Sequence, residues 1–191
     1  MNISILSASP RTNSNTMRFC RMLKQKLTPL GHDCDIINFE KYDIPFMNQG
    51  KVNPDDLQGF QKELIESVSK AQLVFVCSPE YNWMPSAELV NMFNQLGGKP
   101  FKGFFNNKVF AVAGISNGKG GKMPCIQITY VLNKLINFLD CDSVVSSRNF
   151  ESHFTDKELT PEGEIVGNEM YEKGIHAFIS FALRTNERWN K

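Results

Sequence analysis

An abrupt change of pattern near the start limits what the chain can become. Ile3 to Ala8 (ISILSA) is a short apolar run, Ser9 to Thr16 (SPRTNSNT) is polar, and after it Phe19, Cys20, Leu23 and Leu27 recur at helical spacing opposite Arg18, Arg21, Lys24 and Lys26. An apolar run of that length reads as a strand covered on both faces, the kind that sits inside a parallel sheet. The stripe after it reads as an amphipathic helix. Asn13, Ser14 or Asn15 can cap that helix. Its first N–H groups and its dipole then face whatever the loop encloses, and an anion such as phosphate suits that environment. Arg11 adds a guanidinium at the same place. An ordinary capped turn with solvated polar residues has the same local pattern, so the loop alone decides nothing.

The alternation of strand and helix continues. Pro29 and Gly31 end the first helix, and Cys34 to Phe39 (CDIINF) alternates as a second strand. Asn53-Pro54-Asp55-Asp56 has the makings of a helix start, with Leu57, Phe60, Leu64, Ile65 and Val68 as the buried stripe. Leu73 to Cys77 (LVFVC) is a third strand that runs into Ser78-Pro79-Glu80-Tyr81-Asn82-Trp83-Met84. A helix is expected from about Pro85, burying Leu89, Val90, Phe93 and Leu96 and ending at Gly97-Gly98. Lys108 to Ile115 is a fourth strand, followed by the loop Ser116 to Lys122 and a helix from about Pro124 that presents Ile128, Leu132, Leu135, Ile136 and Leu139. Ser143 to Ser147 is a weaker fifth strand. A polar segment, Glu151 to Gly167, reads as mobile or partner-contacting, and Tyr171, Phe178, Phe181 and Ala182 pack inward from a last helix.

Strands alternating with helices predict an α/β fold, a doubly wound parallel sheet with helices on both faces and right-handed crossovers. Of the common strand orders, the flavodoxin-like 2-1-3-4-5 suits a five-stranded unit, and 191 residues at 41% hydrophobic suffice for one domain spanning 1–191. That order puts the switch point between the first and third strands. The loops Ser9 to Asn15 and Pro79 to Met84 then flank one crevice at the strands' carboxyl ends, and Ser116 to Gly121 closes it from the far side.

Charge and composition exclude several classes. The 21 basic and 20 acidic side chains leave a formal net charge of +1, which gives no field to hold nucleic acid or an anionic membrane. The longest apolar runs are far too short to span a bilayer, and Arg11 interrupts any signal-like start, so a cytoplasmic location is expected. Five cysteines, Cys20, Cys34, Cys77, Cys125 and Cys141, form no Cys-x-x-Cys pair, and His32, His153 and His176 stand apart from them; no metal site and no disulfide framework is expected.

The three loops together suit a phosphorylated aromatic ligand. The first offers the anion site, the second Tyr81 and Trp83, and the third glycines that allow backbone to approach a flat ring. FMN matches that description. Competing nucleotide motifs fail: Gly118-Lys119-Gly120-Gly121-Lys122 lacks Walker A spacing and follows the fourth strand, where no dinucleotide fingerprint belongs.

These residues also carry a resemblance. Ser7-Ala8-Ser9-Pro10-Arg11-Thr12-Asn13-Ser14-Asn15-Thr16 resembles the phosphate loop of the NADPH-dependent FMN reductase family, whose pattern is roughly Gly-Ser-x-Arg-x-x-Ser-x-Thr. Pro79-Glu80-Tyr81-Asn82 is similar to that family's flavin-ring motif, Asn91 matches an asparagine in its next helix, and Ser116 to Gly121 resembles its third loop less specifically. Ala8 stands where the family usually has glycine, and Trp83-Met84 replaces a small residue. Trp83 has three readings: it narrows access, stacks on an aromatic substrate, or anchors a subunit contact.

The resemblance implies that Ser9, Arg11, Ser14, Asn15 and Thr16 hold the FMN phosphate, and that Pro79, Glu80, Tyr81, Asn82 and Trp83, with Ser116, Asn117, Gly118 and Gly121, hold the ribityl chain and ring. Singly, Glu80 also reads as a solvated carboxylate, Tyr81 as a packing residue and Arg11 as a surface charge. Lys119 and Lys122 suit a reduced flavin or the extra phosphate of NADPH, and equally a solvated loop. The implied activity is hydride transfer from NADPH or NADH to N5 of bound FMN, with no catalytic side chain, and then reduction of a small-molecule acceptor: a quinone, an azo or nitro compound, a metal oxyanion or free flavin. The alternatives are a flavodoxin-type electron carrier, against which the near-neutral charge argues, and a fold relative without FMN. By the same resemblance the expected assembly is a homodimer or homotetramer.

Overall fold

The computed structural model describes residues 1–190. Its strands are β1 (Asn2–Ser7), β2 (Asp33–Asn38), β3 (Leu73–Pro79), β4 (Lys108–Ile115), β5 (Ser143–Val145) and β6 (Phe150–Ser152). Between and after them lie α1 (Asn15–Leu27), α2 (Gly59–Lys70), α3 (Ala87–Leu96), α4 (Lys102–Phe105), α5 (Lys122–Phe138), α6 (Thr155–Glu158) and α7 (Glu169–Trp189). The pairing order is β2-β1-β3-β4-β5, all parallel, as expected for a flavodoxin-like sheet.

The sheet has one more strand than the sequence reading. β5 pairs with Lys108–Phe110 at one end of β4, and β6 pairs with Ala113–Ile115 at the other. The fifth position is thus a strand broken in the middle: Ser146 N–H still reaches Phe110 O at 2.7 Å, and residues 147–149 lie outside the strands before β6 resumes the pairing.

Each face of the sheet buries its own core, which is why β3 and β4 are apolar throughout. One face packs Leu6, Val74, Val76, Phe110 and Val112 under α2, α3 and α5. The other packs Ile3, Ile5, Phe75, Val109 and Ala111 under α1 and α7, including Phe19, Leu23 and Phe178.

Several helix boundaries differ from expectation. Asn53 takes up the local pattern as a tight turn, its side-chain oxygen accepting from Asp55 N at 3.1 Å. α2 starts later, where Asp43 accepts from Phe60 N at 3.0 Å and Gln61 N at 3.2 Å. α3 starts after Ser86, whose hydroxyl caps Leu89 N at 3.3 Å and donates to Ala8 O at 2.5 Å. On α3 the buried position is Asn91 rather than Val90, which is 41% exposed; Asn91 Nδ2 donates to Tyr42 OH and to Pro45 O. The 151–167 segment is strapped to α1. Arg18, Arg21 and Gln25 donate to the carbonyls of Leu159, Pro161 and Glu162, at 3.1, 2.6 and 3.0 Å. Arg18 and Arg21, opposite the apolar stripe of α1, thus supply donors that hold it.

Candidate functional site

All parallel strands end at one edge of the sheet, and the loops leaving β1, β3 and β4 meet there. They enclose a crevice of about 400 Å³. A larger hollow of about 760 Å³ lies between α1 and α7, lined by Leu30, Ile175, Ile179, Leu183 and a few exposed charges. It is remote from the strands' carboxyl ends, and its charges pair with one another, Lys26 with Glu172 and Lys173 with Glu169, so the switch-point crevice is the candidate site.

The first loop is built around the start of α1. Asn13 takes a positive φ of 52°, and Ser14 caps the helix by accepting from Met17 N at 3.1 Å. That leaves Asn15 and Thr16, both lining the crevice, with N–H groups that have no carbonyl one turn back in the helix. The first turn of α1 has no acidic residue. Ser9 Oγ shares a hydrogen bond of 2.9 Å with Tyr81 OH and accepts from Arg11 N at 3.3 Å. The Arg11 guanidinium lies 5.9 Å from the centre of the Tyr81 ring. Asn15 Nδ2 donates to Asn117 Oδ1, so the first and third loops also touch. Ala8 stands where the resemblance implies a glycine. It extends the strand by donating to Cys77 O at 2.9 Å, and it is fully buried.

The second loop is a hairpin turn closed by Tyr81 and Met84, whose N–H and C=O groups exchange bonds of 2.9 and 3.0 Å. Asn82 and Trp83 occupy its two central positions with φ of 49° and 64°. Two successive positive φ values belong to a type I′ turn, and tryptophan is an uncommon occupant of one. Trp83 is 70% exposed.

The third loop is held from both sides. β6 and the residues after it bond to its backbone: Ser116 N to Ser152 O at 2.9 Å, Phe154 N to Gly118 O at 3.1 Å and Thr155 N to Ser116 O at 3.0 Å. From the other side Glu80 reaches Gly121 N at 2.6 Å.

Of the residues expected at the site, Ser9, Arg11, Ser14, Asn15, Thr16, Pro79, Glu80, Tyr81, Ser116, Asn117 and Gly118 line the crevice, joined by Thr12, Asn13 and Ile115. Asn82, Trp83 and Gly121 do not line it. The first two turn outward with the hairpin. Gly121 meets the sheet instead of the opening: a Cβ on Gly114 would stand 2.0 Å from Gly121 O. The glycines of this loop thus serve close packing of the protein on itself more than approach to a ligand, Gly118 excepted, where a Cβ would meet nothing within 4 Å. Lys119 and Lys122 are exposed.

The arrangement can bind an anion and a flat polar ligand, and it contains no nucleophile poised to act. Burial pushes the thiols of Cys77 and Cys125 up, the latter to about 12, and Cys34 and Cys141 move the same way. Among the described residues no group of three His, Cys, Asp or Glu side chains is placed to hold a metal ion, and no helix is long and apolar enough to cross a membrane.

Comparison with known proteins bears on the same region. Among solved structures the chain is similar to FerB, a flavoenzyme NAD(P)H:(acceptor) oxidoreductase from Paracoccus denitrificans, with a TM-score of 0.70 at 16% identity over 94% of both chains. It is also similar to a flavodoxin from the domain Archaea (TM-score 0.59, 11% identity, 100% of both chains). An NADH:FMN oxidoreductase in its apo form matches with a TM-score of 0.55 at 13% identity, covering 95% of this chain and 88% of that one. At such identities these likenesses establish the fold. The family model for NADPH-dependent FMN reductase matches residues 1–152, the stretch that contains all three loops, and the chain belongs to that family.

Proposed function

We propose that the protein is an NAD(P)H-dependent FMN oxidoreductase that passes electrons to a small-molecule acceptor. The observation that carries this reading is the start of α1: an anion-ready helix end with Arg11 beside it, no acid in its first turn, and a crevice of about 400 Å³ around it. The donor set fits a phosphate. Arg11, the hydroxyls of Ser9 and Thr16 and the N–H groups of Asn15 and Thr16 offer charge-assisted hydrogen bonds to one group. The nearest carboxylate, Glu80, is engaged at Gly121 and does not oppose an anion there. FMN, when bound, supplies the redox chemistry by accepting hydride from a nicotinamide and releasing electrons to the acceptor.

The side chains bind and orient. Tyr81, tied through its hydroxyl to Ser9, couples the ring side of the crevice to the phosphate side. Ser116, Asn117 and Gly118 form the opposite wall. A positioned pair of rings turns a bimolecular transfer into an oriented one, which is the protein's main contribution. The acceptor class covers quinones, azo and nitro compounds, metal oxyanions and free flavin. Five free cysteines suit a reducing, cytoplasmic setting. Met123, Ile126 and Tyr130 on α5 expose apolar side chains, as do Trp83 and Met84, to which α5 is tied through Gln127. That surface supports a homodimer in which Trp83 anchors the contact.

The test is the visible spectrum of purified protein loaded with FMN and freed of excess, followed anaerobically by NADPH and then NADH. A retained flavin band that bleaches supports the oxidoreductase. A retained band that neither nucleotide bleaches replaces it with an electron carrier.

A further inference from the structure

α5 begins with no side-chain cap and no acid of its own. Its N-cap is Gly121, which has no side chain to offer; the first turn has no acid; and Lys122, the first helical residue, puts a positive charge at the positive end of the dipole. The missing carboxylate arrives from another loop. Glu80 Oε2 accepts from Gly121 N at 2.6 Å, a short, charge-assisted bond across a sequence separation of 41 residues. The other carboxylate oxygen lies against Gly120, where a Cβ would come within 2.3 Å of it, so the corner is shaped to admit this side chain. Gly121 is pressed on the sheet as well, since a Cβ there would stand 2.4 Å from Gly114 O.

We infer that Glu80 is a positioning residue of the flavin site, acting through the third loop: it clasps the Gly120–Gly121 corner, and its charge covers the positive pole of α5 so that this pole is not presented to a reduced flavin. The inference rests on FMN occupying the crevice. It assigns Oε2 of Glu80 to the protein rather than to the ligand. It also gives the charge a redox consequence. An uncovered helix N-terminus beside the ring favours added electron density and raises the flavin's midpoint potential, whereas a covered one leaves the flavin a stronger reductant.

Two variants separate the clasp from the charge. Glu80→Gln keeps an acceptor for Gly121 N and removes the charge; Glu80→Ala removes both. Three quantities are read on the full chain: FMN affinity by fluorescence titration, midpoint potential of the FMN-loaded protein, and hydrogen exchange at the Gly121 amide. The expected result for Glu80→Gln is a more positive midpoint potential with FMN affinity kept. For Glu80→Ala it is the same sign of shift, FMN affinity reduced about tenfold, the scale of one lost charge-assisted bond, and faster exchange at Gly121. A Glu80→Gln potential equal to that of the wild type overturns the charge role, and Glu80→Ala with wild-type exchange and affinity overturns the clasp. Wild-type protein that binds no FMN contradicts the reading of the site, while the Gly121 exchange comparison still decides the clasp.

Discussion

Two helices follow loops of the same crevice, and their N-termini are finished in opposite ways. α1 is capped by its own Ser14, carries no acid, and leaves Asn15 and Thr16 with N–H groups to give to a ligand. α5 has no cap of its own and is closed by Glu80. A helix N-terminus is therefore not by itself an anion site; what decides is whether the protein has already spent its positive end. On the proposed function the open end takes the phosphate, and the closed end backs the third loop.

The largest effect expected from breaking this contrast is at the closed side. Gly114→Ala forces a methyl group to within 2.0 Å of Gly121 O at the carboxyl end of β4. It is expected to cost about 3 kcal/mol, lowering the Tm by about 6–12 °C in thermal unfolding. An unchanged Tm would mean that the third loop is not seated on β4.

A control of comparable size lies at the other end of the same strand. Lys108 is fully buried, its Nζ 3.4 Å from Ala71 O, and burial lowers its pKa from 10.5 to about 8. Between those two values the unfolded chain holds a proton that the folded chain has released, so stability rises with pH through that window, by up to about 3 kcal/mol. Lys108→Met should abolish that rise in denaturant titrations at pH 8 and 10 and leave FMN affinity alone. A loss of FMN binding would couple two ends of the sheet that the contrast treats as independent.

At the open side, Arg11→Ala removes the guanidinium that lines the crevice beside the α1 end and is expected to weaken FMN binding about 10- to 100-fold, equivalent to about 1.5–3 kcal/mol. The same change should have little effect on riboflavin, which has no phosphate. Ser14→Ala removes the cap and should destabilise the fold by about 1 kcal/mol, seen as a small fall in Tm. The smallest effect belongs to Gly118→Ala, where a Cβ meets nothing within 4 Å. Its stability should stay within about 0.5 kcal/mol of wild type, in contrast to Gly114→Ala.

What the sequence displayed and what it concealed follow one physical division. β1, β3 and β4 are legible because central parallel strands are buried on both faces and must be apolar throughout. The first loop is legible because a cap and an arginine sit beside the strand they serve. Concealed were the features made by residues distant in the chain: Asp43 capping α2 from 17 positions away, Glu80 closing α5, and Ser152 and Thr155 holding the third loop. β6 was missed because three residues with a glutamate in the middle carry no periodic signal. Asn53-Pro54-Asp55-Asp56 misled for the opposite reason, since its capping chemistry serves a tight turn as well as a helix. Trp83 could be singled out from the sequence, yet its outward turn depends on two positive φ values that no local pattern announced.

The most direct test of the contrast between the two helix ends is a paired titration of the purified protein with FMN and with riboflavin, which share a ring and differ in the phosphate. Because the open α1 end and Arg11 are assigned to the phosphate, FMN should bind at least about tenfold more tightly than riboflavin, and Arg11→Ala should remove most of that difference. Equal affinities for the two flavins in the wild-type protein would contradict the account.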